Sequence, residues 1–205
     1  MGKTIECLLI RHGKTQGNIE HRYIGSGVDQ PLCEEGIRAL CEERDQLPRE
    51  AGEGLLFVSP MQRARMTAEI LFPDRPQIVI PELTEMSFGA FEGKSADEME
   101  HDPAYNKWIE SNGTIAFPGG ESRAEFEARS LRAFLETIRS YAGETDRFVF
   151  VFHGGNIMSV MCHFTGKGYF DFIAENGECI LLKLEVSEDD IHLLSYNRIF
   201  GGYPV

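Results

Sequence analysis

The chain has 205 residues, of which 42% are hydrophobic and 26% are charged, and its formal net charge at pH 7 is −13. This composition is typical of a soluble globular protein and excludes a disordered or fibrous chain, while the length favours one domain. The acidic charge argues against nucleic acid and anionic membranes as partners, because both bind cationic surfaces.

Short apolar runs alternate with segments of helical periodicity along the chain. In order, the pattern predicts a strand in IECLLI, a helix in EEGIRALCEERDQL, a strand in GLLFV, helices in MQRARMTAEILF and EFEARSLRAFLETIRSYA, a strand in RFVFVF, a helix in NIMSVMCHFTG, and strands in ECILLKLEV and DIHLLSYNRI. The last two strands flank SEDD and predict an antiparallel hairpin. We therefore predict an α/β fold whose central sheet is mostly parallel, with helices on both faces and an antiparallel edge.

One segment interrupts this alternation. Residues 93–122 are more polar than their surroundings and contain Pro103 and Pro118 together with several glycines. We interpret the segment as a helical cap inserted into a single domain that spans residues 1–205.

Two of the predicted strands end in histidine. Arg11 and His12 follow the first apolar run, and His153 follows RFVFVF, with Gly154 and Gly155 directly after it. In open α/β sheets ligands bind at the carboxyl ends of the strands, where helix N-termini and exposed backbone amides are available. Both histidines are therefore candidates for one ligand site.

The third strand run leads into the sequence SPMQRA, which has the pattern of a helix start. We predict Ser59 as the N-cap, Pro60 as the first helical residue and Gln62 as the capping-box partner. Arg63 and Arg65 are two positions apart and lie on nearly opposite helix faces, so only one of them can face a pocket.

The stretch RHGKTQGNIEHRY is a cationic island in an acidic protein. It contains three Lys or Arg residues and two histidines against one acid. Guanidinium groups grip phosphate oxygens in a bidentate manner, and a helix N-terminus adds partial positive charge. The pattern predicts a phosphate site.

Four elements in this order resemble the histidine phosphatase superfamily, which is also called phosphoglycerate mutase-like. They are LLIRHGKTQGN, SPMQRARMTAEIL, PELTEMSFGAFEG and VFHGGNI. Among its members, the length and the elements FGAFEG and FPGGES look most similar to alpha-ribazole phosphatase-like and broad-specificity phosphatases. The same resemblance selects Arg63 rather than Arg65 as the pocket arginine.

The resemblance implies a mechanism without a metal ion or cofactor. His12 attacks the substrate phosphorus and forms a phosphohistidine, Glu85 protonates the leaving oxygen, and Glu85 then acts as base for the hydrolytic water. The groups implied to bind phosphate or substrate are Arg11, Arg63, His153, Asn18, Gly25 and Gly154. The neighbouring arginines favour a neutral His12, because they disfavour a further positive charge.

Two alternatives to a phosphatase stay open. A cofactor-dependent phosphoglycerate mutase would need more cations around the cap, yet Glu85 is followed by Met86, and Lys107 is the one Lys or Arg between Lys94 and Arg123. A catalytically inactive module that binds phospho-ligands would normally lack the nucleophile or the acid, and both residue types are present here.

The remaining expectations concern partners and location. We expect a small-molecule phosphate ester as the partner, with no nucleic acid and no membrane, and the sequence leaves a homodimer open. The chain has an odd number of cysteines, five, without C-x-x-C spacing. This usage, together with the lack of a recognisable targeting segment, favours a reducing cytoplasm.

Overall fold

The structure, a computed structural model, describes residues 2–44, 47 and 53–200. The strands among them are β1 (Lys3–Arg11), β2 (Leu55–Val58), β3 (Gln77–Val79), β4 (Arg147–Phe152), β5 (Cys179–Val186) and β6 (Ile191–Phe200). The α-helices among them are α1 (Gln16–Ile19), α2 (Glu34–Arg44), α3 (Gln62–Leu71), α4 (Pro103–Glu110), α5 (Arg123–Tyr141) and α6 (Gly154–Thr165). Within these residues the strands form one sheet in the order β3-β2-β4-β1-β5-β6.

The sheet is mostly parallel, as predicted. Strands β3, β2, β4 and β1 run in the same direction, while β5 pairs antiparallel with β1 and β6 pairs antiparallel with β5. Ser187 and Asp190 close the predicted hairpin between β5 and β6 by a backbone hydrogen bond of 2.9 Å. Strand β3 was not predicted, because a three-residue strand is too short for a periodic pattern.

Helices cover both faces of the sheet. On β4, Phe148, Phe150 and Phe152 belong to the core that contains residues of α5 and α6, whereas Val149 and Val151 belong to the core that contains residues of α2 and α3. Successive side chains of a strand point to opposite faces, so a continuous apolar run serves two cores. This arrangement confirms the prediction that these strands are covered on both sides.

Two helix boundaries differ from the predicted ones. Helix α5 begins two residues earlier than predicted, because Ser122 and Glu125 form a reciprocal capping box: the Glu125 amide donates to Ser122 Oγ at 3.2 Å, and the Ser122 amide donates to the Glu125 carboxylate at 2.9 Å. Helix α2 ends at Arg44, whereas the prediction continued to Leu47; residues 45 and 46 of that prediction lie outside the described residues.

The segment 93–122 contains helix α4 and builds its own hydrophobic cluster. This cluster joins aromatic and methionine side chains from the segment to neighbours before and after it, and its buried members are Met86, Phe91, Met99, Tyr105, Phe117 and Phe126. It is separate from the two cores of the sheet. None of the helices in the described ranges has the length and apolar character needed to cross a bilayer.

Candidate active site

The register of the sheet brings the two strand-end histidines together. Arg11 pairs with Phe152 across the parallel β1–β4 ladder, so the two strands end at the same level. His12 and His153 follow directly, and their ring centroids lie 5.2 Å apart in an edge-to-face arrangement. Both side chains are buried, with exposed fractions of 4% and 0%. The two histidines predicted from separate motifs therefore share one site.

The hydrogen bonding of His12 leaves one ring nitrogen available. Nδ1 lies 2.7 Å from the carbonyl oxygen of Gly13, and a carbonyl oxygen can only accept, so Nδ1 carries the proton. Nε2 is then the unprotonated nitrogen of a neutral ring. Burial lowers the pKa of His12 well below its ordinary value, and the charges of Arg63 and Arg11 lower it further. The lone pair of Nε2 is therefore available for a ligand.

Arg11 presents an unpaired donor in the same place. Its Nη1 donates to the carbonyl of Ala174 at 2.6 Å, whereas the buried Nε has no hydrogen-bond partner among the described residues. A buried donor without a partner costs free energy, on the order of 1–3 kcal/mol, unless a ligand satisfies it. The Arg11 Nε lies next to the start of α6, at 3.4 Å from the position that a β-carbon on Gly154 would occupy. The Arg11 Nε and the start of α6 therefore lie together at the carboxyl ends of β1 and β4.

Arg63 is the buried arginine of α3, whereas Arg65 is exposed. Most of its donors are already used: Nε donates to His153 Nδ1 at 3.3 Å, Nη1 to the carbonyl of Val28 at 3.1 Å and Nη2 to the carbonyl of Gly25 at 3.2 Å. Its charge therefore acts on the site, while most of its N–H groups hold the surrounding chain.

The predicted helix start at Ser59 is wrong. Helix α3 begins at Gln62 with Met61 as a cap that makes no side-chain hydrogen bond, and the Gln62 amide donates instead to the distant Asp29 carboxylate at 2.8 Å. Ser59 is buried, and its hydroxyl pairs with His153 Nε2 at 2.8 Å. A carboxylate from elsewhere in the chain caps the helix, and this frees Ser59 for the histidine.

The partners of its two ring nitrogens determine the tautomer of His153. Because Arg63 Nε can only donate, Nδ1 of His153 is the acceptor and the ring proton is on Nε2, which donates to Ser59. Burial lowers the pKa of His153 well below its ordinary value, with the charge of Arg63 as the next cause. The second histidine is neutral, and both of its nitrogens are engaged within the protein.

Glu85 approaches the same point from the segment before the cap. Its carboxylate accepts from the Met86 amide at 2.8 Å and from the Gly155 amide, at the N-terminus of α6, at 3.3 Å. Burial raises the pKa of Glu85 above its ordinary value, although these amides and the charges of Arg63 and Arg11 act in the opposite direction. A carboxyl group that keeps its proton to a higher pH is suited to general-acid chemistry.

The three remaining predicted residues lie near the site in different ways. The described hydrogen bonds of the Asn18 side chain all use Oδ1, with the Thr15 amide at 3.0 Å, and this leaves Nδ2 for a ligand. The amide of Gly154 opens α6 and has no acceptor among the described residues. The Gly25 amide donates to Glu92 at 2.8 Å, and the Gly25 carbonyl accepts from Arg63. Both backbone groups of Gly25 are thus occupied, and a β-carbon there would lie 2.1 Å from the Met86 carbonyl.

Two cavities of different character open beside these residues. The first, of about 180 Å³, adjoins Glu85 and Gly155 and is walled mainly by aromatic side chains; these are Tyr23, Phe88, Trp108, Phe117, Tyr169 and Phe170. The second, of about 520 Å³, is polar and includes Arg11, Asn18 and Asn176 in its wall. Tyr105 is buried in the hydrophobic cluster that the segment 93–122 joins, whereas Trp108 packs against that cluster and also lines the aromatic cavity.

Three residues that were not predicted hold the backbone of the site. Thr67 Oγ1 accepts from the Gly13 amide at 3.0 Å, Asn176 Nδ2 donates to the His12 carbonyl at 3.0 Å, and Arg129 Nη2 donates to the Glu85 carbonyl at 3.4 Å. Thr67 lies one helical turn after Arg63, which was a usable signal. Asn176 and Arg129 are distant in sequence from every motif, and no local pattern could have identified them.

Comparison with known proteins agrees with this arrangement. The model of the histidine phosphatase superfamily (branch 1) matches residues 7–199. An adenosylcobalamin/alpha-ribazole phosphatase of Salmonella typhimurium is 30% identical over 151 residues, which are 72% of this chain and 73% of that protein. Phosphoserine phosphatase 1 of Hydrogenobacter thermophilus is 27% identical over 209 residues and covers 98% and 97% of the two chains. The crystal structure of the alpha-ribazole phosphatase from Shigella flexneri superposes with a TM-score of 0.79 at 26% identity, over 98% of this chain and 100% of that one.

A mostly parallel sheet that carries two buried histidines and two arginines at the carboxyl ends of its strands defines a phosphate-handling α/β enzyme. The chain belongs to the histidine phosphatase superfamily. The family predicted from the four sequence elements and the fold predicted from the alternation of strands and helices are confirmed.

Proposed function

We propose that the protein is a metal-independent phosphatase that hydrolyses small-molecule phosphate monoesters through a phosphohistidine on His12. The observation that carries this proposal is the hydrogen bond from His12 Nδ1 to the Gly13 carbonyl, at 2.7 Å. It leaves Nε2 as a neutral nucleophile beside the unpaired Arg11 Nε. A nucleophile and a free oxyanion donor at one point are what an in-line attack on phosphorus requires.

In the first step, Nε2 of His12 forms a bond to phosphorus while the bond between phosphorus and the ester oxygen breaks. Glu85, which holds a proton because burial raises its pKa, transfers that proton to the leaving oxygen. In the second step a water molecule gives a proton to the Glu85 carboxylate and attacks phosphorus. The phosphorus–nitrogen bond then breaks, and inorganic phosphate and neutral His12 are released.

The phosphoryl oxygens are held by donors that the protein leaves unused. These are the Arg11 Nε, the Gly154 amide at the N-terminus of α6 and Nδ2 of Asn18. The buried charge of Arg63 adds to the positive potential without a direct fork to phosphate, because its N–H groups bind carbonyls and His153. His153 contributes when its Nε2–H exchanges Ser59 for a phosphate oxygen.

The aromatic cavity supports an alpha-ribazole-like substrate, since it adjoins Glu85 and therefore receives the leaving group. Flat aromatic groups pack favourably against aromatic walls in offset or edge-to-face geometry. We propose that the segment 93–122 caps this cavity through Trp108 and Phe117, which stack with ring centroids 4.7 Å apart.

The phosphoglycerate mutase alternative is less well supported by the same cavity. A mutase must hold a second phosphoryl group on the leaving side, and the one Lys or Arg in the described wall of the aromatic cavity is Arg123. That guanidinium lies 3.3 Å from the Glu127 carboxylate and 5.5 Å from the Tyr169 ring centroid. Incubation with 3-phosphoglycerate and its bisphosphate primer should release inorganic phosphate; rapid isomer formation would reverse this assignment.

We also propose that the enzyme works in a reducing cytoplasm. The cysteines Cys7, Cys33, Cys41, Cys162 and Cys179 are all free thiols. Burial raises the pKa of the Cys7 thiol, so it remains protonated and packs as a small apolar side chain.

Replacement of the nucleophile tests the proposed function directly. We expect His12→Ala to abolish turnover of phosphate monoesters and to prevent acid-labile ³²P labelling of the protein, with an unchanged circular dichroism spectrum. His163→Ala, which removes a histidine from the last turn of α6, serves as the matched control and should retain both activity and labelling. Normal turnover by His12→Ala would exclude the phosphohistidine mechanism.

A further inference from the structure

Asn176 lies beneath the nucleophile, in the turn that precedes β5. Its side chain is buried, with an exposed fraction of 7%, and its Nδ2 is surrounded by three oxygen atoms. These are the His12 carbonyl at 3.0 Å, Asn18 Oδ1 at 3.3 Å and the Gly13 carbonyl at 3.5 Å. One side-chain amide therefore contacts the nucleophile's own backbone, the next peptide group and a candidate phosphate ligand.

The Gly13 carbonyl is the atom through which this contact reaches the chemistry. It accepts the proton of His12 Nδ1 at 2.7 Å, and Asn176 Nδ2 approaches the same oxygen. The amide of Gly13 is held by Thr67 Oγ1 at 3.0 Å, and the Gly177 amide donates to the Arg11 carbonyl at 3.1 Å. If this backbone rotates, His12 Nδ1–H loses its acceptor, and the ring proton can move to Nε2, which then cannot attack phosphorus.

We propose that Asn176 is a positioning residue for the nucleophile: its side-chain amide holds the Arg11–Gly13 backbone so that His12 keeps its proton on Nδ1 and presents Nε2 to the phosphate. This proposal rests on the proposed phosphatase function for its kinetic consequences. Its structural content, the tautomer of His12, exists in the resting protein and can be measured without a substrate.

The chemistry of the site requires an amide at this position rather than a carboxylate. Aspartate has almost the same shape as asparagine, but in Asn176→Asp an ionised carboxylate would place an oxygen against three oxygen acceptors. It would also add a negative charge beside His12, which is faced by the charged side chains of Arg11 and Arg63 and by the neutral ring of His153. Glu85, Glu175 and Glu178 already act on Arg11. The added charge would favour protonated His12 and move the acidic limb of the activity profile to higher pH.

The experiment compares Asn176→Asp and Asn176→Ala with Asn197→Asp, an exposed position on β6 where the same charge is added away from the site. Nitrogen-15 NMR of the imidazoles, with the His12 resonances identified by His12→Ala, reports which nitrogen carries the proton. We expect Nδ1 to be protonated in the wild type and a measurable fraction of Nε2-protonated ring in Asn176→Ala. The single-turnover rate of phosphohistidine formation should fall by on the order of 10- to 100-fold, as is typical when a group that orients a reacting side chain is removed.

The pH dependence separates positioning from a general loss of structure. In Asn176→Asp the acidic limb of single-turnover phosphoryl transfer should move to higher pH, while Asn197→Asp should match the wild type. A wild-type tautomer in Asn176→Ala, or an unshifted acidic limb in a folded Asn176→Asp variant, would overturn the proposal. Wild-type protein that forms no phosphohistidine would instead refute the proposed function, and the tautomer measurement would still decide the role of Asn176.

Discussion

At the scale of single residues, Glu85 is the group whose proposed contribution to catalysis depends on the substrate. Its carboxyl is held between the Met86 and Gly155 amides. A general acid matters in proportion to how poorly the leaving group departs unprotonated. We expect Glu85→Gln to slow phosphoryl transfer from alkyl phosphates by on the order of 10² to 10⁴, and from nitrophenyl phosphate by much less. Single-turnover kinetics with both ester types measures this difference, and label should accumulate on His12 with the aryl ester.

A neighbouring acid provides the control for this prediction. Glu82 lies in the same segment, is exposed and has its backbone rather than its carboxylate in contact with Arg129. Glu82→Gln should retain wild-type rates with both esters. Equal losses for alkyl and aryl esters in Glu85→Gln would show that Glu85 is not the acid.

The protonation states of His12 and Glu85 also predict the pH dependence. In the proposed mechanism the reactive form has His12 unprotonated and Glu85 protonated. Burial and the two arginines lower the pKa of His12, so the acidic limb lies below the ordinary range of histidine; burial raises the pKa of Glu85, so its limb lies above the ordinary range of glutamate. For alkyl esters, single-turnover phosphoryl transfer should fall on both sides, and Glu85→Gln should lose the alkaline limb alone. A persistent alkaline limb in this variant would assign it to another group.

At the scale of elements, the segment 93–122 contributes Trp108 of α4 to the wall of the aromatic cavity, which we propose receives the leaving group. The indole stacks on Phe117 and Tyr105, in a cluster separate from the sheet cores. We expect Trp108→Ala to raise KM for an aromatic monoester by roughly tenfold, a loss of about 1.4 kcal/mol, because one aromatic wall is removed. KM for a small aliphatic monoester should change little.

Trp108→Phe provides the conservative comparison, because it keeps a ring against Phe117. This variant should retain most of the affinity for the aromatic ester, and thermal unfolding should show that the sheet core of both variants stays intact. An equal rise in KM for aromatic and aliphatic esters in Trp108→Ala would contradict the assignment of the cavity to the leaving group.

At the scale of the whole molecule, an acidic protein binds an anion by concentrating cationic groups at one point. The chain carries a net charge of −13, yet His12 lies at the carboxyl end of β1 among cationic groups, which are Arg11, Arg63 and the N-terminus of α6. Because these groups supply the positive charge that phosphoryl transfer needs, activity should persist in excess EDTA and should not rise with added Mg²⁺. Activity that is lost in chelator and restored by a divalent cation would contradict metal independence.

The sequence by itself determined the family, the alternation of elements and the position of two histidines at the ends of their strands. The strand runs are continuous and apolar because their side chains pack into two cores. This pattern is local, so it can be read from the sequence. The residues RHG and HGG are likewise contiguous with the strands that carry them. The pairing of β1 with β4 sets their register. Because the two strands end at the same level, the two histidine motifs lie in one site.

Only the tertiary structure decided how the side chains of the site are held. Ser59 pairs with His153 because Asp29, which is far from α3 in sequence, takes over the cap of that helix. Gly25 has its amide on Glu92, and Asn176 approaches His12 across 164 positions of sequence. Such hydrogen bonds depend on three-dimensional distance between groups that have no fixed sequence spacing, and a buried polar group takes whichever partner the packed chain brings within reach.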